Sequence, residues 1–249
     1  MTMESPAPND FSAAAKASGS DKFHHHGYHR FYPYHLDRFR HSQGNLVEIG
    51  VDEGKSLQLW HQYFPHAFIH GIDINKQAKG NRYLIHQCDQ SNVKQLQLLS
   101  NKIGKAFAVI DDGSHIPEHQ LLTFNCFFDK VLQPGGIYIL EDIEVSYWRR
   151  GSLYGYQTQY GLYDSRSLMA AMKHLADWIN REFLSISDRE STLTRLRDAG
   201  LTKNTCDAAA SVEFGHNCII IRKREDWEWS FDNRPYKFFN YVKDQENDS

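Results

Sequence analysis

Between residues 45 and 140 short apolar runs alternate with longer amphipathic stretches, and the two periods separate strands from helices. Asn45–Gly50 (NLVEIG), Phe68–Ile74 (FIHGIDI), Ala106–Ile110 (AFAVI) and Ile137–Leu140 (IYIL) read as buried strands. Tyr83–Gln87 is a weaker one. Ser56–Phe64, Val93–Ile103 and Pro117–Leu132 carry apolar residues at helical spacing, and each stops at a breaker: Pro65, Gly104 and Pro134-Gly135-Gly136. Strand and helix in alternation predict an α/β fold. It is a doubly wound, Rossmann-like, mostly parallel sheet, and we expect seven strands.

The flanks follow other patterns. Phe23, Tyr28, Phe31, Tyr32, Leu36 and Phe39 recur at near-helical spacing, interrupted by Pro33, so residues 20–42 are expected to form an N-terminal helical cap. Residues 1–19 are rich in Ala, Ser and Pro without apolar periodicity and read as a disordered tail. Residues 143–165 hold five tyrosines and look like a loop, either a substrate wall or a lid or subunit contact. Arg166–Phe183 is helical by its spacing of Leu168, Met172, Leu175 and Trp178. Ser211–Phe214 and Cys218–Ile221 flank Gly215-His216-Asn217, the pattern of a C-terminal β-hairpin. A single domain over 20–240 is expected, followed by a frayed tail at 241–249.

Composition narrows the function. The chain has 249 residues, with 28 basic against 31 acidic side chains, a net charge of −3. Such a balance argues against a nucleic-acid partner, which needs clustered Lys and Arg. No apolar run is long enough to span a membrane, and the first residues lack the apolar stretch of a signal peptide. The four cysteines show no CxxC spacing and read as reduced thiols of a cytoplasmic protein. Fourteen histidines include His24, His25, His26 and His29. Adjacent histidines seldom converge on one ion, so this cluster reads as surface or lid.

In a doubly wound sheet, ligands bind beyond the carboxyl ends of the strands. There the chain delivers Glu48 with the Gly50–Ser56 loop, then Asp73, Asp89-Gln90-Ser91, Asp111-Asp112-Gly113-Ser114-His115, and Glu141-Asp142. Every strand brings an acid, and a shared site explains that economically. The loop G-x-x-x-G-K-S is one residue short of a phosphate-cradling P-loop, and Glu48 and Glu53 would repel a triphosphate. A dinucleotide fingerprint would need glycine where Asp52 stands. S-adenosylmethionine has no phosphate and carries a sulfonium cation, so it tolerates acids, and Asp73 sits where a carboxylate can accept from a ribose diol. Asp73 as a helix N-cap, His115 as a loop histidine that caps the next helix, and Glu141-Asp142 as a solvated strand end are the competing structural readings.

Five segments in this order are V-E-I-G-V-x-x-G-K-S-L (47–57), F-P-x-A-x-I-x-G-I-D-I (64–74), D-Q-S (89–91), V-I-D-D-G-S-H (109–115) and P-G-G-x-Y-I-L-E-D-I (134–143). Together they resemble class I S-adenosylmethionine-dependent methyltransferases. More narrowly, they resemble the metal-dependent macrolide sugar O-methyltransferases (mycinamicin-type) and their cephalosporin-cluster relatives. The likeness runs from Ser20-Asp21-Lys22 to the terminal hairpin, without the G-x-G-x-G loop of the wider class.

The resemblance implies that Asp112, Glu141 and Asp142 hold Mg²⁺ or Mn²⁺ and that His115 is the general base. It gives Asp73 to the ribose and Asp89, Gln90 and Ser91 to the adenine side, with Asp111 nearby. Glu48, Gly50, Gly54 and Ser56 take the methionine part, and Lys22 and Tyr28 are candidate partners of its carboxylate. Carboxylates without thiolates suit a hard cation. The expected reaction is methylation of a hydroxyl on a sugar or glycosylated natural product. A catechol-type hydroxyl, a non-catalytic Rossmann-like nucleotide-binding module and an NAD-dependent oxidoreductase are the alternatives. The acceptor is a small molecule, with neither nucleic acid nor membrane as partner, and self-association into a homo-oligomer stays open.

Overall fold

The computed structural model of the chain describes residues 10–148, 152–153, 156–157 and 159–233. Its strands are β1 (Gly44–Ile49), β2 (Ala67–Asp73), β3 (Ala78–Gly80), β4 (Tyr83–Gln87), β5 (Ala106–Asp111), β6 (Leu132–Glu141), β7 (Ser152–Leu153), β8 (Tyr156–Gln157), β9 (Ala209–Gly215) and β10 (Cys218–Lys223). The helices are α1 (Asp10–Ser18), α2 (Asp21–His24), α3 (Tyr32–Leu36), α4 (Lys55–Tyr63), α5 (Val93–Ile103), α6 (Pro117–Lys130), α7 (Leu168–Ile179), α8 (Ile186–Asp198) and α9 (Lys203–Ala208). Eight strands make the main sheet in the order β3-β4-β2-β1-β5-β6-β10-β9, and β7 pairs with β8 alone. From β4 to β6 neighbours are parallel; β3, β10 and β9 are antiparallel to theirs.

Alternation along each strand sorts side chains to two faces, as a period of two requires. Leu46, Ala108, Ile110, Ile137, Ile139 and Ile220 face one core with Phe11, Leu36, Leu59 and Trp60 of α1, α3 and α4. Val47, Val109, Tyr138, Leu140, Ile219 and Ile221 face the other, under α5, α6, α7 and α9. Helix starts are set locally. The Asn92 side chain accepts from Lys94 N and Gln95 N at the head of α5, Pro117 opens α6, and Ser167 caps α7.

Three expectations change. The sheet has eight strands rather than seven, because β3 adds an antiparallel edge; Ala78 and Lys79 are exposed there, so no apolar pattern marks it. β6 begins at Leu132, ahead of the Pro134-Gly135-Gly136 run expected to be only a stop; a register shift opposite Ala106–Ala108 absorbs the extra residues. Part of the expected tail is helical: α1 buries Phe11, Ala14 and Ala15. Alanine favours helix, and Phe11 supplies an anchor, edge-on to Tyr32 at 5.6 Å and Tyr63 at 5.3 Å.

Residues 1–9 and 241–249 lie outside the described residues, as does part of the tyrosine-rich stretch. The described part of that stretch includes a 3₁₀ helix over Ile143–Tyr147 and the β7–β8 pairing. No helix among the described residues is long and apolar enough to cross a membrane.

Candidate active site

A cavity of about 770 Å³ opens beyond the carboxyl ends of the parallel strands. Of the residues singled out in the sequence, Gly50, Ser56, Asp73, Asp89, Gln90, Ser91, Asp112, His115 and Asp142 line it. Glu48, Gly54, Asp111, Glu141, Lys22 and Tyr28 are not on its wall.

Close contact between loops shapes the floor. Gly50 holds φ +87°, and a Cβ there would lie 1.9 Å from the Asp112 carbonyl oxygen, so only glycine lets the β1 and β5 loops meet. Gln90 ties the β4 loop to β5: its Nε2 donates to Asp111 Oδ1 at 2.7 Å, and its Oε1 accepts from Ser114 N at 2.9 Å. Burial pushes the Asp111 carboxyl up to about 7 against hydrogen bonds from Gln90 and Tyr138, so Asp111 behind the wall and Gln90 on it brace the loops. Asp73 Oδ1 accepts from Asn75 N and Lys76 N at 2.8 and 3.1 Å, which is the turn-capping reading in part, while Oδ2 receives Val51 N at 3.4 Å. Asp89 accepts from the Ser91 hydroxyl and amide, and these bonds hold its carboxyl below the usual range.

At one end of the cavity, Asp112, His115 and Asp142 offer ligand atoms that all lie within 4.8 Å of one another. His115 and Asp142 both have left-handed backbones, φ +54° and +52°, a strained conformation that clusters at functional sites. His115 Nε2 lies 3.9 Å from Asp142 Oδ2. Asp142 Oδ1 accepts from the Tyr28 hydroxyl at 2.7 Å and from Asn217 Nδ2 at 2.9 Å, with His26 Nδ1 at 3.2 Å. Burial alone would lower the His26 pKa, but its hydrogen bond to Asp21 and the Asp142 carboxylate hold it above the usual histidine range.

Glu141 stands behind this group. Its oxygens take Lys22 Nζ at 2.7 and 2.8 Å, and Tyr32 donates to Oε1. Lys22 also reaches Asp112 Oδ2 at 2.6 Å and Glu48 Oε1 at 3.8 Å. Burial would push the Lys22 ammonium down, yet Asp112, Glu141 and Glu48 together hold it well above the ordinary lysine range. Glu48 accepts from Ser56 and from the Trp60 indole, both at 2.8 Å, and burial pushes it up to about 7.

Sequence reasoning missed Tyr32, His26 and Asn217. The first two stood in stretches read as cap and lid, and the third in the hairpin turn. The one available signal was the clustering of aromatic and His residues at 23–32, which here stacks His26 on Tyr28 at 5.1 Å and Tyr28 on Tyr32 at 5.2 Å. Lys22 and Tyr28, expected at the cofactor, bond to the carboxylates of Asp112, Glu141 and Asp142. Among the described residues of the tyrosine-rich stretch none lines the cavity; Tyr160 N donates to Glu118 Oε1 at 3.0 Å, and Arg166 lies over the Tyr160 ring.

No family model matches the chain. Among curated proteins it is 36% identical over 216 residues to the 8-demethyl-8-alpha-L-rhamnosyl tetracenomycin-C 2'-O-methyltransferase of Streptomyces olivaceus, covering 83% of this chain and 52% of that protein. It is 34% identical over 132 residues to the mycinamicin VI 2''-O-methyltransferase of Micromonospora griseorubida, covering 49% of this chain and 33% of that one. The chain thus spans about half the length, or less, of these curated relatives. Among solved structures it is similar to the methyltransferase MycE of the mycinamycin pathway, in complex with Mg, SAH and mycinamycin VI. That match has a TM-score of 0.73 at 24% identity and covers 92% of this chain and 57% of that one. The curated homologues are sugar O-methyltransferases by name, and the fold is that of MycE.

Proposed function

We propose that this chain is the catalytic domain of an S-adenosylmethionine-dependent O-methyltransferase that methylates a sugar hydroxyl of a glycosylated small molecule with the help of Mg²⁺ or Mn²⁺. The observation that carries the reading is the single cavity that joins the Gly50, Asp73 and Asp89 loops to Asp112, His115 and Asp142. Its volume suits a nucleoside-sized ligand with room for an acceptor. The charges favour a sulfonium cofactor over a nucleotide phosphate. Among the described residues both lysines on the wall are engaged, Lys55 with Glu53 and Lys76 with the Asp52 carbonyl, so these residues offer no basic cradle. Ile49, Val51, Ile72 and Cys88 add an apolar lining between the acids.

S-adenosylmethionine, when bound, supplies an electrophilic methyl group on a cationic sulfur. Asp73 would accept from the ribose, and Asp89, held ionised by Ser91, stands on the adenine side. Gln90 and Asp111 hold these loops in register and leave recognition to their neighbours. Asp112 and Asp142, with Glu141 behind, form the carboxylate set for a divalent ion; their hard oxygen donors fit Mg²⁺ or Mn²⁺. Such an ion, when bound, lowers the pKa of the acceptor hydroxyl. His115, on the cavity wall with its Nε2 3.9 Å from Asp142 Oδ2, would take that proton as general base. Four free cysteines, three of them buried, support a cytoplasmic location.

Calorimetry with S-adenosylmethionine, NAD and ATP tests the reading, with binding expected for the first alone. No heat with S-adenosylmethionine would overturn it. A screen of glycosylated and catechol-type acceptors with labelled methyl donor then identifies the substrate class, and activity undiminished by EDTA would remove the ion from the mechanism.

A further inference from the structure

One side chain meets the expected ion ligands as a cation already in place. Lys22 is fully buried, and its ammonium has three oxygens of Asp112 and Glu141 within 2.6–2.8 Å, one for each N–H it can donate. Among the described residues it is the sole Lys or Arg paired with these carboxylates. Both Glu141 oxygens are held by Lys22, and Glu141 is not part of the close triad of Asp112, His115 and Asp142. An ammonium and a divalent ion cannot both sit between the same two carboxylates, because their mutual repulsion at a few ångströms in a buried site is large.

Resting on the methyltransferase reading, we propose that Lys22 is an internal competitor of the divalent ion. Its ammonium neutralises Asp112 and Glu141 in the ion-free protein and gives up Glu141 when an ion enters. The movement has a path to the cofactor cavity. Lys22 lies in the four-residue helix α2, directly after Gly19, Ser20 and Asp21 on the cavity wall. Tyr28 and Tyr32 anchor the same segment to Asp142 and Glu141. Ion occupancy and the shape of that wall are therefore linked through one short segment, which opposes ion binding in the empty protein.

Mn²⁺ binding to the full chain, read by the free-ion electron paramagnetic resonance signal, tests this. Lys22→Gln should bind Mn²⁺ at least about tenfold more tightly than the wild type, because a buried positive charge is gone, while Lys22→Arg should stay within a few-fold of it. Equal or weaker binding by Lys22→Gln, with the wild type still binding, overturns the competitor role and leaves the ion itself in place. No Mn²⁺ binding by either protein overturns the ion reading as well. Should Lys22→Gln fail to fold, hydrogen exchange on the wild type decides: saturating Mn²⁺ should speed amide exchange over residues 20–24, and unchanged exchange there overturns the proposal.

Discussion

His115 and Asp142, the proposed base and an ion ligand, each also meet a backbone demand. Their left-handed φ values are accepted by Asn, Asp and His more readily than by other non-glycine residues. The cleanest test of the base is therefore His115→Asn, which keeps the backbone preference but cannot take a proton. We expect turnover to fall by about 10²–10⁴-fold with unchanged S-adenosylmethionine affinity, measured by initial rates and calorimetry. Full activity of this variant on a verified acceptor would dismiss the base assignment. That Asp73, Asp89, Asp112 and Asp142 share one cavity wall was legible in the sequence, because strand periodicity fixes where each strand ends and the cavity opens just beyond. Lys22, Tyr28 and Asn217 were not legible as carboxylate partners. Lys22 meets Asp112 across 90 positions of chain, and Tyr28 meets the Asn217 carbonyl across 189. No local pattern encodes such a meeting.

Pairing of β2 with β4 brings His70 Nδ1 to 3.0 Å from His86 Nε2, with the rings stacked. Burial, and then the neighbouring imidazole, lower the His70 pKa to about 4. The folded chain thus refuses a proton that the unfolded chain takes up below about pH 6.5, so stability falls as pH drops from there towards about 4. Between pH 7 and pH 5 the wild type should lose about 2 kcal/mol more than His70→Leu in urea titrations. Parallel pH curves for the two proteins would show that the pair carries no such load. Elements with a clear apolar period were legible, α5 to its ends, and even the weaker β4 was placed to its ends. α8 was not, because among its residues only Leu196 is buried, and a helix without an apolar stripe leaves no period to read.

The two-faced core gives the molecule its order, and α1 closes one side of it. Phe11 is fully buried against Tyr32, Trp60 and Tyr63, so Phe11→Ala should cost about 3–4 kcal/mol. By calorimetry the unfolding midpoint should fall by roughly 10 °C, and a shift under about 2 °C would show that α1 is dispensable. The α/β class and a cavity beyond the strand ends were legible from alternation together with the rule that such sheets bind ligands there. The sheet order was not, since the β3 edge and the seating of α1 depend on neighbours that are remote in sequence. The same remoteness constrains design. A protein engineer who grafted this centre onto another doubly wound sheet by transplanting the strand-end loops would leave Glu141 and Asp142 without Lys22, Tyr28, Tyr32 and Asn217. The two acids would arrive in the host as stranded buried charges, each costing several kcal/mol. The portable unit is the loops together with the 20–32 stretch and the turn at Asn217, three pieces of chain that have to be inherited together.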